Sequence, residues 1–176
     1  MIYFVRHGES EANVDEVFAG QRDDSPLTHY GASEAKEAGE NIKKQGLVID
    51  QIIASPLQRA HKTATEIAKV IGYDVEKIQL DPRIKEYDVG SLTGTTTNIK
   101  SIDMIAPDDA EDINHFRERI QSALDDYSKL EGNTLMVSHA GVAKMVESIR
   151  TNQPPHMFYD IDGYPNGSIT PLSFLE

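Results

Sequence analysis

Apolar residues along this chain follow two patterns that alternate. Short, nearly continuous runs at Ile2 to Val5, Ile49 to Ala54 and Thr134 to Val137 predict strands covered on both faces, as in a parallel sheet. Between them the apolar positions recur every third or fourth residue. Ala32, Ala35, Ala38 and Ile42 trace one narrow helical face of small residues, with Gly46 expected as its C-terminal cap. Leu57, Ala60, Ala64, Ile67 and Ile71 trace a second face, ended by Gly72. Ile113, Phe116, Ile120, Ala123 or Leu124, and Tyr127 trace a third, and Val142, Met145, Val146 and Ile149 a fourth. Strand alternating with helix predicts an α/β fold, a three-layer α/β/α sandwich around a mostly parallel central sheet.

Two regions escape both patterns. Residues 88–112 hold Gly90, Gly94, four threonines and Pro107, and read as an irregular excursion from the sheet. Pro154 to Pro171 is rich in turn formers and leads into a final strand near Ile169 to Leu175. No repeat, low-complexity tract or linker divides the chain, so its 176 residues are expected to form a single domain, 1–176.

Composition narrows the chemistry. The formal net charge of −12 disfavours a nucleic-acid or anionic-membrane surface, because the long-range field repels polyanions. Any phosphate-binding role then needs a locally basic pocket. The absence of cysteine removes disulfides, thiolate metal sites and cysteine nucleophiles. The apolar start is too short for a signal-peptide core and no stretch approaches a membrane span, so a cytoplasmic protein is expected. No HExxH or HxH pattern suggests a metal.

In an open α/β sheet ligands bind at the carboxyl ends of the strands, where helix N-termini present free N–H groups. The three strongest strands exit into Arg6-His7-Gly8-Glu9, Ala54-Ser55-Pro56-Leu57-Gln58-Arg59 and Val137-Ser138-His139-Ala140-Gly141. Gly8 would let the backbone turn tightly beside His7. Ser55 is expected as an N-cap, with Pro56 at the first helical position and Gln58 completing a capping box. Either histidine alone reads as an ordinary turn residue, and Arg59 in a first helical turn needs an anionic partner or solvent. Together the two histidines and two arginines form a cationic cluster in an acidic protein. Such a cluster suits a phosphoryl group, since arginines offer paired donors to its oxygens and a neutral imidazole can attack phosphorus.

These segments resemble the signatures of the histidine phosphatase superfamily, also called phosphoglycerate mutase-like. Arg6-His7-Gly8-Glu9 stands for its first motif, with Asn13 in the expected following position. Leu27-Thr28-His29-Tyr30-Gly31, Ser55 to Ala64 and Ser138-His139-Ala140-Gly141 follow in order. The resemblance implies a phosphohistidine on His7, a phosphate pocket of Arg6, Asn13, Gly20, Arg59, His139 and the N–H of Ala140, and no cofactor or metal. A protonated His139 would serve that pocket best. Glu86, within Asp81-Pro82-Arg83-Ile84-Lys85-Glu86, matches the stretch that carries the proton donor; Glu9 competes for that role, and Glu11 follows. His29, His61, His115 and His156 match no functional position.

The resemblance leaves three activities open. Phosphomonoester hydrolysis of a small phosphorylated metabolite is favoured, because cofactor-dependent mutases follow the acid with Arg-His-Tyr-Gly where this chain has Tyr87-Asp88-Val89-Gly90. The stretch from Ser101 to Phe116 also lacks Lys and Arg. Many phosphatases of the family carry Trp-Glu-Gly where this chain has Leu92-Thr93-Gly94, and the phosphohistidine-protein phosphatases tend to lack an acid at the Glu86 position. Phosphoglycerate mutase and a non-catalytic phosphoryl-binding regulator are the alternatives. Monomer and homodimer are both compatible with the sequence.

Overall fold

The computed structural model describes residues 1–97 and 107–172. Its strands are β1 (Ile2–Arg6), β2 (Gln51–Ala54), β3 (Gln79–Leu80), β4 (Thr134–Ser138) and β5 (Ile169–Leu172), and they form one sheet in the order β3-β2-β4-β1-β5. β1, β2, β3 and β4 run parallel; β5 joins β1 antiparallel at the edge. The helices are α1 (Glu11–Val14), α2 (His29–Lys44), α3 (Gln58–Ile71), α4 (Ile113–Tyr127) and α5 (Ala140–Arg150).

Successive strand residues point to opposite faces, and each face has its own core. Ile2, Phe4, Ile53 and Met136 pack with Phe116, Ile120, Met145 and Val146 of α4 and α5. Val5, Ile52, Ala54, Leu135 and Val137 pack on the other side with Ala35, Ala38, Ile42, Ala60, Ala64 and Ile67 of α2 and α3. These are the two helical layers of the sandwich. β4, central and buried at every position, has no polar face to show. The small residues of α2 let it lie close to α3: a Cβ added at Gly39 would stand 2.7 Å from Val70 Cβ.

Local expectations meet mixed outcomes. Gly46 (φ +65°) and Gly72 (φ +77°) terminate α2 and α3 in the left-handed region, where glycine alone is unstrained. β2 starts two residues later than its apolar run. The final strand begins at Ile169 as its pattern predicts, but residues 173–175 lie outside the described residues. Within the excursion a 3-10 turn at Gly90–Leu92 is the described regular element, and residues 98–106 lie outside the description. Ser55 is not the cap of α3. Leu57 occupies that position in an extended conformation; the Ser55 hydroxyl oxygen accepts the Leu57 N–H at 3.3 Å and meets His139 Nε2 at 2.8 Å, and the Gln58 side chain reaches the Asp24 carbonyl.

Candidate active site

Because β1, β2 and β4 are parallel, their carboxyl ends meet on one side of the sheet, and Arg6 pairs directly with Ser138. There a cavity of about 340 Å³ opens. Arg6, His7, Asn13, Gly20, Arg59, Glu86 and Ala140 line it; His139 does not, being fully buried, with its ring centroid 5.2 Å from that of His7.

The His7 tautomer follows from its neighbour. Nδ1 lies 2.7 Å from the Gly8 carbonyl oxygen, which can only accept, so Nδ1 carries the proton and Nε2 keeps the lone pair. Burial and the charges of Arg59 and Arg6 push this imidazole down to about pH 3, so it is neutral throughout the physiological range. The same causes, burial first and then Arg59, hold His139 well below its ordinary value. Burial and these cationic neighbours oppose the protonated His139 that the resemblance favours, and an anion in the pocket would act the other way. His139 Nδ1 has no hydrogen-bond partner among the described residues.

Arg59 is only 2% exposed and donates to the carbonyls of Gly20 (2.8 Å) and Asp23 (3.2 Å). Arg6 donates Nη1 to the Tyr164 carbonyl at 2.9 Å, and its Nε has no hydrogen-bond partner among the described residues. Neither guanidinium forms an ion pair among the described residues, and burial is the main cause that lowers both below the ordinary arginine value. Two desolvated cations held by neutral carbonyls leave a strong demand for an anion.

Backbone approach explains the glycines of two motifs. Gly8 does not adopt positive φ, contrary to the tight-turn expectation. A Cβ on it would overlap the Gly31 carbonyl, and a Cβ on Gly31 would overlap the Glu9 carbonyl. Thr28 caps α2 by accepting the Gly31 N–H at 2.9 Å. The first motif is thus clamped against the start of α2. Asn13 Oδ1 accepts from Ser10 N and Oγ, which leaves its amide N–H groups for the cavity.

Glu86 reaches the cavity from a segment without regular structure. Its carboxylate accepts the N–H of Tyr87 on Oε1 at 2.8 Å and that of Gly141 on Oε2 at 3.1 Å. Any side chain at Gly141 would overlap Oε1. Glu9 is turned away, its Oε1 accepting from Thr28 Oγ1 at 2.9 Å, and neither it nor the exposed Glu11 lines the cavity. His29, His61, His115 and His156 also lie outside it, and no metal-holding group of side chains occurs among the described residues.

Several residues of the site carry no motif. Arg119 of α4 donates to the carbonyls of Arg83 (2.5 Å), Lys85 (2.8 Å) and Glu86 (3.0 Å), while its Nε pairs with Glu111 at 2.6 Å. It fixes the strand of chain that carries Glu86. Asn166 donates to the His7 carbonyl at 2.8 Å, and Gly167 N–H to that of Arg6 at 3.0 Å, so the turn-rich C-terminal region braces the first motif. Phe158, Tyr159 and Lys144 complete the wall. Lys144 could have been found in the sequence, since it follows Ala140 by four residues and shares its helix face. Phe158 lies in an aperiodic 3-10 run, Pro155–Asp160, which offers no such signal.

The model of the histidine phosphatase superfamily, branch 1, matches residues 2–176. The chain belongs to this superfamily. Among relatives in the superfamily, the probable phosphoglycerate mutase GpmB of Enterobacter sp. (strain 638) is 38% identical over 157 residues, which cover 81% of this chain and 70% of that protein. A 2,3-bisphosphoglycerate-dependent phosphoglycerate mutase of Mesorhizobium japonicum is 41% identical over 93 residues, 53% of this chain; the match spans only 45% of that mutase's length. A mycobacterial glucosyl-3-phosphoglycerate phosphatase, solved in complex with VO3, has the same fold with a TM-score of 0.79 at 22% identity, covering 96% of this chain and 88% of that one. This superfamily thus supplies both mutases and phosphatases as relatives and neighbours. Among the described residues of this member, no helix is long and apolar enough to cross a membrane.

Proposed function

We propose that this chain hydrolyses phosphomonoesters of small metabolites through a phosphohistidine on His7. The observation that supports this most is the pairing of a buried neutral imidazole, its Nε2 lone pair free, with two desolvated guanidiniums lacking carboxylate partners. Arg6, Arg59, Asn13 and the Ala140 N–H hold the phosphoryl oxygens. His7 Nε2 forms the N–P bond as the ester O–P bond breaks, and Glu86 in its acid form gives its proton to the departing alkoxide. Water then attacks phosphorus, Glu86 takes its proton, and the N–P bond breaks. His139, behind His7, keeps Nδ1 available, and the arriving dianion counters the positive field that holds this ring neutral.

Hydrolysis is preferred to mutase chemistry because the outer cavity is poor in cations. Tyr87 is buried and donates to the Glu111 carbonyl at 2.7 Å, Asp88 is acidic, and Lys144 is the sole Lys or Arg of the wall outside Arg6 and Arg59 among the described residues. The names of the curated relatives favour the mutase reading. Incubation with an aryl phosphate plus chelator should give hydrolysis that persists under chelation and vanishes in His7→Ala. Phosphate binding without turnover would favour a non-catalytic binding protein, and efficient isomerisation of 3-phosphoglycerate with a trace of the bisphosphate would favour the mutase.

A further inference from the structure

Among the described residues, the cavity holds one cation that the reaction above does not use. Lys144 lies four residues after Ala140 on α5, so the two share a helix face about 6 Å apart along the axis, and both line the cavity. Its stem passes Gly163, where an added Cβ would stand 3.6 Å from Lys144 Cε. The amine is half-buried and has no hydrogen-bond or ion-pair partner among the described residues. Burial lowers it below the ordinary lysine value and Arg6 lowers it further, against the opposing pull of Asp162, Glu86 and Asp160. The cavity that it shares with Glu86 is also lined by the apolar and aromatic side chains of Phe18, Val89, Phe158 and Tyr159.

We propose that Lys144 receives a second, singly charged anion on the substrate, a carboxylate on a leaving group that also carries an apolar or aromatic portion. The proposal rests on the phosphoryl-binding reading of the floor. A desolvated amine without a partner gains more from a charged acceptor than an exposed one does. A carboxylate fits better than a second phosphate, because one ammonium in the field of Asp162 and Asp160 balances a monoanion and leaves a dianion repelled. A cavity of about 340 Å³ is sufficient for a phosphoryl group joined to a compact organic acid. The helical spacing puts the amine one turn from the N–H group of Ala140, which the same reading assigns to phosphate.

The test compares 4-carboxyphenyl phosphate with 4-carbamoylphenyl phosphate, similar in size and different by one charge. The protein should prefer the carboxylate ester about tenfold in kcat/KM, as one charge-assisted hydrogen bond allows. Lys144→Met should bring the ratio to about one, while Lys144→Arg retains most of it. A ratio near one in the unaltered protein, or an unchanged preference in Lys144→Met, overturns the proposal. Calorimetric binding of both esters to His7→Ala, with and without Lys144→Met, reads the same ratio in Kd without turnover. Loss of all hydrolysis would therefore sink the phosphatase reading alone, while the Kd ratio decides the role of Lys144.

Discussion

Arg59 and Glu86 face the same cavity, but the chain holds them in different ways. Arg59 stands in the first turn of a helix that leaves a central strand, fully buried, with its donors on the carbonyls of Gly20 and Asp23. Glu86 stands on irregular chain whose place depends on side chains from elsewhere, Arg119 clamping three of its carbonyls and Ser138 Oγ donating to the Ile84 carbonyl at 2.7 Å. The floor of the cavity is fixed by the fold itself, whereas the rim is fixed by individual hydrogen bonds. Conservative changes should therefore alter rim chemistry without loss of the fold, and changes in the floor should remove phosphoryl chemistry altogether.

The largest effect should come from the floor. His7→Ala is expected to lower kcat by about 10,000-fold or more, since no other imidazole lines the cavity; steady-state assays of an aryl phosphate measure it. Arg59→Ala should cost about 100- to 1,000-fold in kcat/KM, as removal of a preorganised charged donor does. At the rim, Glu86→Gln should cost about 100-fold with alkyl phosphates and less than about tenfold with aryl phosphates, whose leaving groups need little protonation. An equal loss on both esters would deny Glu86 its role.

Arg119→Met should reproduce the Glu86→Gln pattern in weaker form, about tenfold and again greater for alkyl esters, with partial recovery in Arg119→Lys. A merely structural role would lower both ester classes alike. A further effect is on stability rather than rate. The unfolded chain protonates the His7 imidazole near pH 6.5 and the folded chain only near pH 3. Stability is therefore complete above pH 6.5 and falls as pH drops through that window, by about 1.4 kcal/mol per pH unit for this group. Thermal melts between pH 7 and pH 4 should show a shallower decline in His7→Asn.

Legibility in the sequence follows the same division. Buried parallel strands leave nearly continuous apolar runs, so β1 and β4 and the helices on both faces could be read from pattern alone, and their exits located Arg6, His7, Arg59 and Ala140 beside one another. The rim has no periodicity. Arg119 lies within α4, where a charged residue reads as solvated surface, and its action on the backbone of residues 83, 85 and 86 depends on a tertiary approach. Sequence could not tell that Gly8 and Gly31 serve one close crossing, or that the Ser55 hydroxyl meets His139. It also assigned His139 a charge that its burial opposes.

The proposed intermediate can be looked for directly. Rapid acid-free quenching during turnover, followed by peptide mass spectrometry, should find one phosphoryl group on His7, stable to base, lost in acid and absent from His7→Ala. Sustained hydrolysis with no phosphoryl group on that imidazole, or with the group on another side chain, would contradict the account.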